Sequence, residues 1–218
     1  MGQYWKPVSI DKMEYLYSHD WDNGLKIMEH SYIGNNFVEA VERLLSLNGA
    51  WYRTRFCWAG DYMDEGLFVP PDSLTYVCDG EEYNHTLYSY VNEKGKNVVE
   101  GAENINRSDY DKAKSKAKEL TDKFLSGLPK AGKFLVNHTK KLCLDLSKER
   151  GTGEKWNNGK SIVIHPLPLL TCSGNGRGGG DFRAEENELV GSWAGDVISM
   201  EYEPIYEMMD PCNFKEED

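Results

Sequence analysis

The sequence predicts an α+β fold in a single domain, with a mostly antiparallel sheet and two main amphipathic helices. Three observations predict it. Two segments gather their apolar residues on one helical face. An Asp-Gly pair joins two β-rich segments. Strand-like and helix-like segments do not alternate as a parallel βαβ sheet requires. At 218 residues the chain is long enough for one substantial core. The domain is expected to span residues 1–218, ending in an acidic tail over about 204–218.

The first thirty residues look extended and turn-rich. Met13–Ser18 reads as a short strand, and His19-Asp20-Trp21-Asp22-Asn23-Gly24 as a turn. The first helix is expected near 35–48. Asn35 or Asn36 can cap it, with Glu39 three residues after Asn36. Phe37, Val38, Ala40, Val41, Leu44, Leu45 and Leu47 share one side, and Gly49 follows as a stop. Trp51–Trp58 alternates and reads as a strand. Leu74–Cys78 and Glu81–Val91 flank Asp79-Gly80, the preferred pair for a type I′ hairpin turn. The second helix spans 109–128, with Ala113, Ala117, Leu120, Phe124 and Leu128 in a narrow arc flanked by lysines. Lys133–Leu146, Ser161–Thr171 and Val190–Glu203 read as strands. The expected total is six to eight strands, rich in Tyr and Trp. Trp58-Ala59-Gly60-Asp61 is echoed by Trp193-Ala194-Gly195-Asp196, which fits two strand ends where Trp packs and Gly-Asp turns.

The densest chemistry lies in Ser161–Phe182, SIVIHPLPLLTCSGNGRGGGDF. An apolar run with one histidine is broken by Pro166 and Pro168, which exclude a regular central strand and hold His165 extended. Gly174, Gly176 and Gly179 spell GxGxxG. The residues after them lack the periodicity of the helix a Rossmann site needs, and no Gly-Lys-Ser/Thr follows for a Walker loop. What remains is a run of backbone N–H groups at Gly176, Gly178 and Gly179, beside Arg177 and Asp181. It reads as an anion nest in which Arg177 holds a phosphate, or as a hairpin loop or lid. Loops on a rigid sheet are where sites usually sit. The expected cleft therefore joins this loop to His165 and to the His19-Asp20 turn. His19-Asp20 and Glu29-His30 place imidazole beside carboxylate, which can fix a tautomer. Catalytic residues and cofactors cannot be assigned: GxSxG and a nucleophilic-cysteine signature are both missing.

Composition excludes several classes. The net charge is −11, although residues 107–150 hold twelve Lys/Arg against six Asp/Glu. Overall acidity argues against general nucleic-acid binding, because phosphate backbones require a basic face. The lysine-rich helix fits either a solvated surface or an anion- or membrane-facing helix. Seven acids against one lysine in Glu201–Asp218 fit a solvated tail or a surface that meets a basic partner. No apolar run approaches the roughly 18–20 residues of a membrane span, so no membrane partner is expected. The five cysteines are scattered without a CxxC pair. That points away from a zinc site or a disulfide framework and towards a reducing, cytoplasmic setting. The opening MGQYWKPVSIDK lacks the plan of a secretory signal.

The blocks MGQYW, SHDWDNGLKIMEHSYIGNNFVEAV, WAGDY and IHPLPLLT…GNGRGGGDF resemble a family of bacterial and phage proteins. The resemblance brings no activity. It implies that residues in these blocks are site material, and its phage side implies interference with a host defence. Two functions follow as expectations. One is binding of a small phosphate-bearing ligand, a nucleotide among them, with or without hydrolysis. The other is a non-enzymatic interaction protein that inhibits a protein partner, consistent with the many aromatic residues that serve as interface anchors.

Overall fold

The computed structural model describes residues 2–102, 105, 108–147, 153–155, 161–176, 181–182 and 188–209. In chain order its first elements are β1 (Trp5–Ser9), β2 (Glu14–Tyr15), a 3-10 turn at Ser18–Trp21, α1 (Ile27–His30), α2 (Asn36–Leu45) and β3 (Thr54–Gly60). There follow β4 (Thr75–Cys78), β5 (Glu81–Asn84), α3 (Leu87–Lys94), β6 (Lys96–Asn97) and α4 (Tyr110–Gly127). The chain continues with β7 (Phe134–Asn137), β8 (Leu142–Asp145), β9 (Gly153–Lys155) and β10 (Ser161–Val163). The last elements are α5 (Pro166–Thr171), β11 (Cys172–Ser173), β12 (Val197–Glu201) and β13 (Glu207–Met208).

Nine strands form one sheet in the order β13-β8-β7-β12-β3-β1-β2-β6, with β11 also on β3. Its pairs are antiparallel except β11–β3, β13–β8 and β2–β6. β3 is the centre. One edge pairs with β1, Trp5 opposite Gly60 and Ser9 opposite Phe56. The other edge takes β12 at Arg55 and Thr54, then β11 at Trp58 and Ala59.

Alternation along β3 feeds two cores, because successive side chains leave opposite faces of a strand. Phe56 and Trp58 join the main core with Phe37, Val41 and Leu44 of α2. Cys57 and Ala59 join a smaller core with Val8, Leu87 and Val91, which brings α3 to the opposite face. α2 forms as the spacing predicts. Asn35 accepts from the Phe37 amide at 2.8 Å as its cap, and six apolar side chains of the helix are buried. α4 starts at its Asp109 cap and lays Ala113, Ala117, Leu120 and Phe124 against the main core. The Asp79-Gly80 turn also forms. Both residues have positive φ (52° and 84°), as a type I′ turn requires, and Val77 lies opposite Glu82.

Several strands are shorter than expected. Thirteen short strands appear among the described residues, because turns divide the long runs. Met13–Ser18 contributes only β2 before the 3-10 turn begins at Ser18. Trp51–Arg53 is a turn, with Arg53 at φ 55°, and the strand starts at Thr54. Leu47 lies beyond α2 and is exposed. Lys133–Leu146 is the β7–β8 hairpin, with Lys141 at φ 59° between the strands. In Val190–Glu203 only β12 is extended. Glu81–Val91 stops pairing at Asn84, because Thr86 and Ser89 form a reciprocal capping box that starts α3. The largest correction is Ser161–Thr171: Pro166 occupies the first turn of α5, where a missing N–H costs nothing.

Candidate ligand-binding site

The Ser18–Gly24 segment is fixed from several sides. Asp20 is buried and accepts from Asn97 Nδ2 at 2.8 Å. Asp22 has a left-handed backbone with φ 56°. Asn23 Nδ2 donates to the Trp21 carbonyl at 2.9 Å, and Asn23 Oδ1 accepts from Asn35 Nδ2 at 2.7 Å. The cap of α2 therefore also holds this turn. The Gly24 carbonyl accepts from His30 Nδ1 at 3.0 Å, because Trp58 Nε1 donates to His30 Nε2 at 3.1 Å and leaves the ring proton on Nδ1. Burial pushes His30 down to about 4, so it is a neutral core imidazole stacked on Trp58.

α4 runs across this turn. Lys114 Nζ meets Asp22 Oδ2 at 2.7 Å, and Asp22 holds the lysine above its ordinary pKa. Beside the pair lies a cavity of about 460 Å³ walled by His19, Asn23, Gly24, Tyr110 and Ala113. A second cavity, of about 220 Å³, is walled by Trp21, Asn36, Lys118 and Thr121. Asp22 and Lys114 line both. The larger one falls within the roughly 300–1,000 Å³ of small-molecule sites. His19 is exposed with its ring packed beside that of Tyr17, centroids 5.3 Å apart, and Tyr110 is 72% exposed. The Asp22–Lys114 pair is about half exposed on each side, and such pairs contribute little stability. A ligand anion can take the place of Asp22 on Lys114 at small cost. Ser18 Oγ and Trp21 Nε1 are buried polar atoms of the same turn, and neither has a hydrogen-bond partner among the described residues.

The other expected site residues lie in different surroundings. His165 is buried. Its Nδ1 accepts from the Leu167 amide at 3.1 Å as the cap of α5, and its Nε2 donates to Glu42 Oε1 at 3.0 Å. It lines a cavity of about 300 Å³ with Glu42, Glu39, Val38 and Leu146. This cavity and the one at His19 share no described lining residue. Gly176 has φ 63°, a conformation that favours glycine. Asp181 Oδ1 accepts from Trp5 Nε1 at 3.1 Å. The Gln3 amide donates to Asp181 Oδ2 at 2.7 Å and accepts from the Tyr62 amide at 3.0 Å. Asp181 is thus anchored on Gln3 and Trp5 at the start of β1. Arg177, Gly178 and Gly179 lie outside the described residues.

Two further polar clusters stand out. Lys6, on β1, is buried. Its Nζ donates to Asn92 Oδ1 at 2.7 Å and sits 4.0 Å from the Tyr88 ring centroid and 5.0 Å from that of Tyr15. Burial pushes the ammonium down to about 8, and Asp61 opposes the shift. Burial raises the Asp61 carboxyl, and Asp181 adds to the rise. Ser199, His138 and Glu201 resemble a nucleophilic triad by residue type. The buried Ser199 hydroxyl donates to Glu201 Oε1 at 2.9 Å, so it accepts from His138 Nε2 at 2.7 Å. The imidazole therefore gives a proton towards the serine instead of removing one, the reverse of what activation needs.

Lys114, Lys118, Tyr110 and Asn23 were not singled out in the sequence. The lysine-rich arc of the second helix and the Asn-Gly turn were the available signals. Among the described residues no group of three or more His, Cys, Asp or Glu gathers as a metal site. No helix there is long and apolar enough to cross a membrane. Cys57, Cys78, Cys143 and Cys172 are thiols, and Cys212 lies outside the described residues. Comparison with protein-family models, curated proteins and solved structures finds no match to this chain.

Proposed function

We propose that the protein binds a small phosphate-bearing ligand of the nucleotide class in the two adjacent cavities between Ser18–Gly24 and α4. The observation that carries this reading is the Asp22–Lys114 pair lining both cavities. Lys114 and Lys118 are four residues apart, just over one helical turn or about 6 Å along α4. Two ammonium groups at that spacing suit the oxygens of one phosphate group. His19 and Tyr110 offer ring faces to a planar base, and Asp22, once released from Lys114, can accept from an exocyclic amine.

Calorimetry with adenosine monophosphate, adenosine and inorganic phosphate tests the reading. The nucleotide should bind more tightly than either part alone. Lys114→Ala should weaken it by about 1.5–3 kcal/mol, the scale of a charge-assisted hydrogen bond. Arg177→Ala is the companion variant. If it loses affinity while Lys114→Ala does not, the site belongs to the glycine loop. Absence of nucleotide binding at millimolar concentration would remove the reading.

A further inference from the structure

The β4–β5 hairpin stands apart from the nine-stranded sheet. Every residue from Leu74 to Asn84 except Tyr76 is exposed, with Val77 at 73%. β4 and β5 pair only with each other. The hairpin is held at its base. The His85 amide donates to the Leu74 carbonyl at 2.8 Å, the Gly66 amide donates to the His85 carbonyl at 2.8 Å, and Tyr76 packs on the His85 ring. Beyond the base it is a two-stranded ribbon in water, an element of marginal stability alone.

Its charge is one-sided. From Phe56 to Glu93 the chain has eight Asp/Glu and no Lys or Arg. Asp64, Glu65, Asp72, Asp79, Glu81 and Glu82 are all exposed, and none pairs with a cation among the described residues. β4 itself, Thr-Tyr-Val-Cys, carries no charge and no proline, the usual guards of an open edge. In a two-residue hairpin Cys78 and Glu81 exchange the ladder bonds beside the turn. The bond from His85 to Leu74 continues that alternation at the base. Thr75 and Val77 therefore turn their N–H and C=O groups away from β5.

We propose that this hairpin is a docking arm for a basic protein segment, which adds as a strand to the edge of β4. Backbone bonds to Thr75 and Val77 supply the pairing, and the carboxylates on β5 and its turn select the charge. A second copy of this chain is the poorer occupant, because it would bring two sets of Asp79, Glu81 and Glu82 together. This inference does not depend on the ligand site at α4.

The probe is a labelled ten-residue peptide of alternating Arg and Val, titrated into the full chain and followed by fluorescence anisotropy. An alternating Arg-Gly peptide of equal charge is the control. The Arg-Val peptide should bind at least tenfold more tightly than the control and should slow amide exchange over 75–78. Val77→Pro, which removes one outward N–H, should lower its affinity at least tenfold. The double substitution Glu81→Lys, Glu82→Lys should do the same with an unchanged melting temperature, so that loss by Val77→Pro through misfolding of the hairpin does not decide the outcome alone. Equal binding of both peptides, full affinity in the charge-reversed chain, or protection outside the hairpin would overturn the proposal. So would a dimer of the unliganded chain that Val77→Pro dissociates, since the occupant would then be a second copy.

Discussion

His165 and His19 are two histidines in loop segments, and they have opposite surroundings. His165 is 6% exposed with both ring nitrogens engaged, one capping α5 and the other on Glu42. His19 is exposed on the wall of the largest cavity described. The same side chain is a buried structural bracket in one place and, in the other, an exposed ring packed beside Tyr17. What separates them is what surrounds the chain. The segment before His165 pairs with Tyr32 and Ile33 beside α2, whereas the turn at His19 faces the open side of α4. His30 lies further along the same scale, fully buried in the core with both nitrogens used.

This contrast can be broken by measurement, beginning with the largest effect. His30 is held neutral with its pKa at about 4, against about 6.5 in the unfolded chain. The unfolded chain therefore binds the extra proton first. The stability associated with neutral His30 is complete above pH 6.5 and is lost as pH falls towards 4. The loss should reach about 3 kcal/mol. Urea titrations at pH 7 and pH 4 should show that much less acid sensitivity in His30→Gln. Equal sensitivity would mean that the ring is charged or solvated in the native state.

His165→Ala should lower stability by about 1–2 kcal/mol, through the lost helix cap and a Glu42 oxygen left without its donor. His165→Asn, which keeps a capping side chain, should recover part of that in the same urea assay. His19→Ala should change stability by no more than about 0.5 kcal/mol, as expected for an exposed position, while weakening nucleotide binding. A His19→Ala chain as destabilised as His165→Ala would erase the distinction between the two.

The fold class, α2, α4 and the Asp79-Gly80 turn were legible because local pattern, caps and turn chemistry agree at those places. α5 was not, because the apolar run of Ile162–Leu170 outweighed a start signal already present: a capping His165 followed by Pro166 at the first helical position. α3 was missed in the same way, since Tyr and Val favour strands while the capping box at Thr86 begins a helix. The candidate site was only half legible. The turn at His19 and the lysines of α4 each showed in the sequence, but their meeting depends on α4 crossing residues some ninety positions earlier, which no local pattern encodes. Lys6 gave no signal at all. A lysine second in an aromatic strand looks solvent-facing until Tyr15, Tyr88 and Asn92 close over it.

The five histidines, all among the described residues, act as built-in reporters, because each occupies a different environment. His85 stacks on Tyr76, and His138 hydrogen-bonds Ser199. A proton–carbon correlation spectrum of the histidine rings, recorded while adenosine monophosphate is added, reads all five in one experiment. A ligand in the cavity beside α4 should move the His19 ring signals and leave those of His30, His85, His138 and His165 in place. A shift at His165 or His138 with His19 unmoved would contradict the assignment of the site.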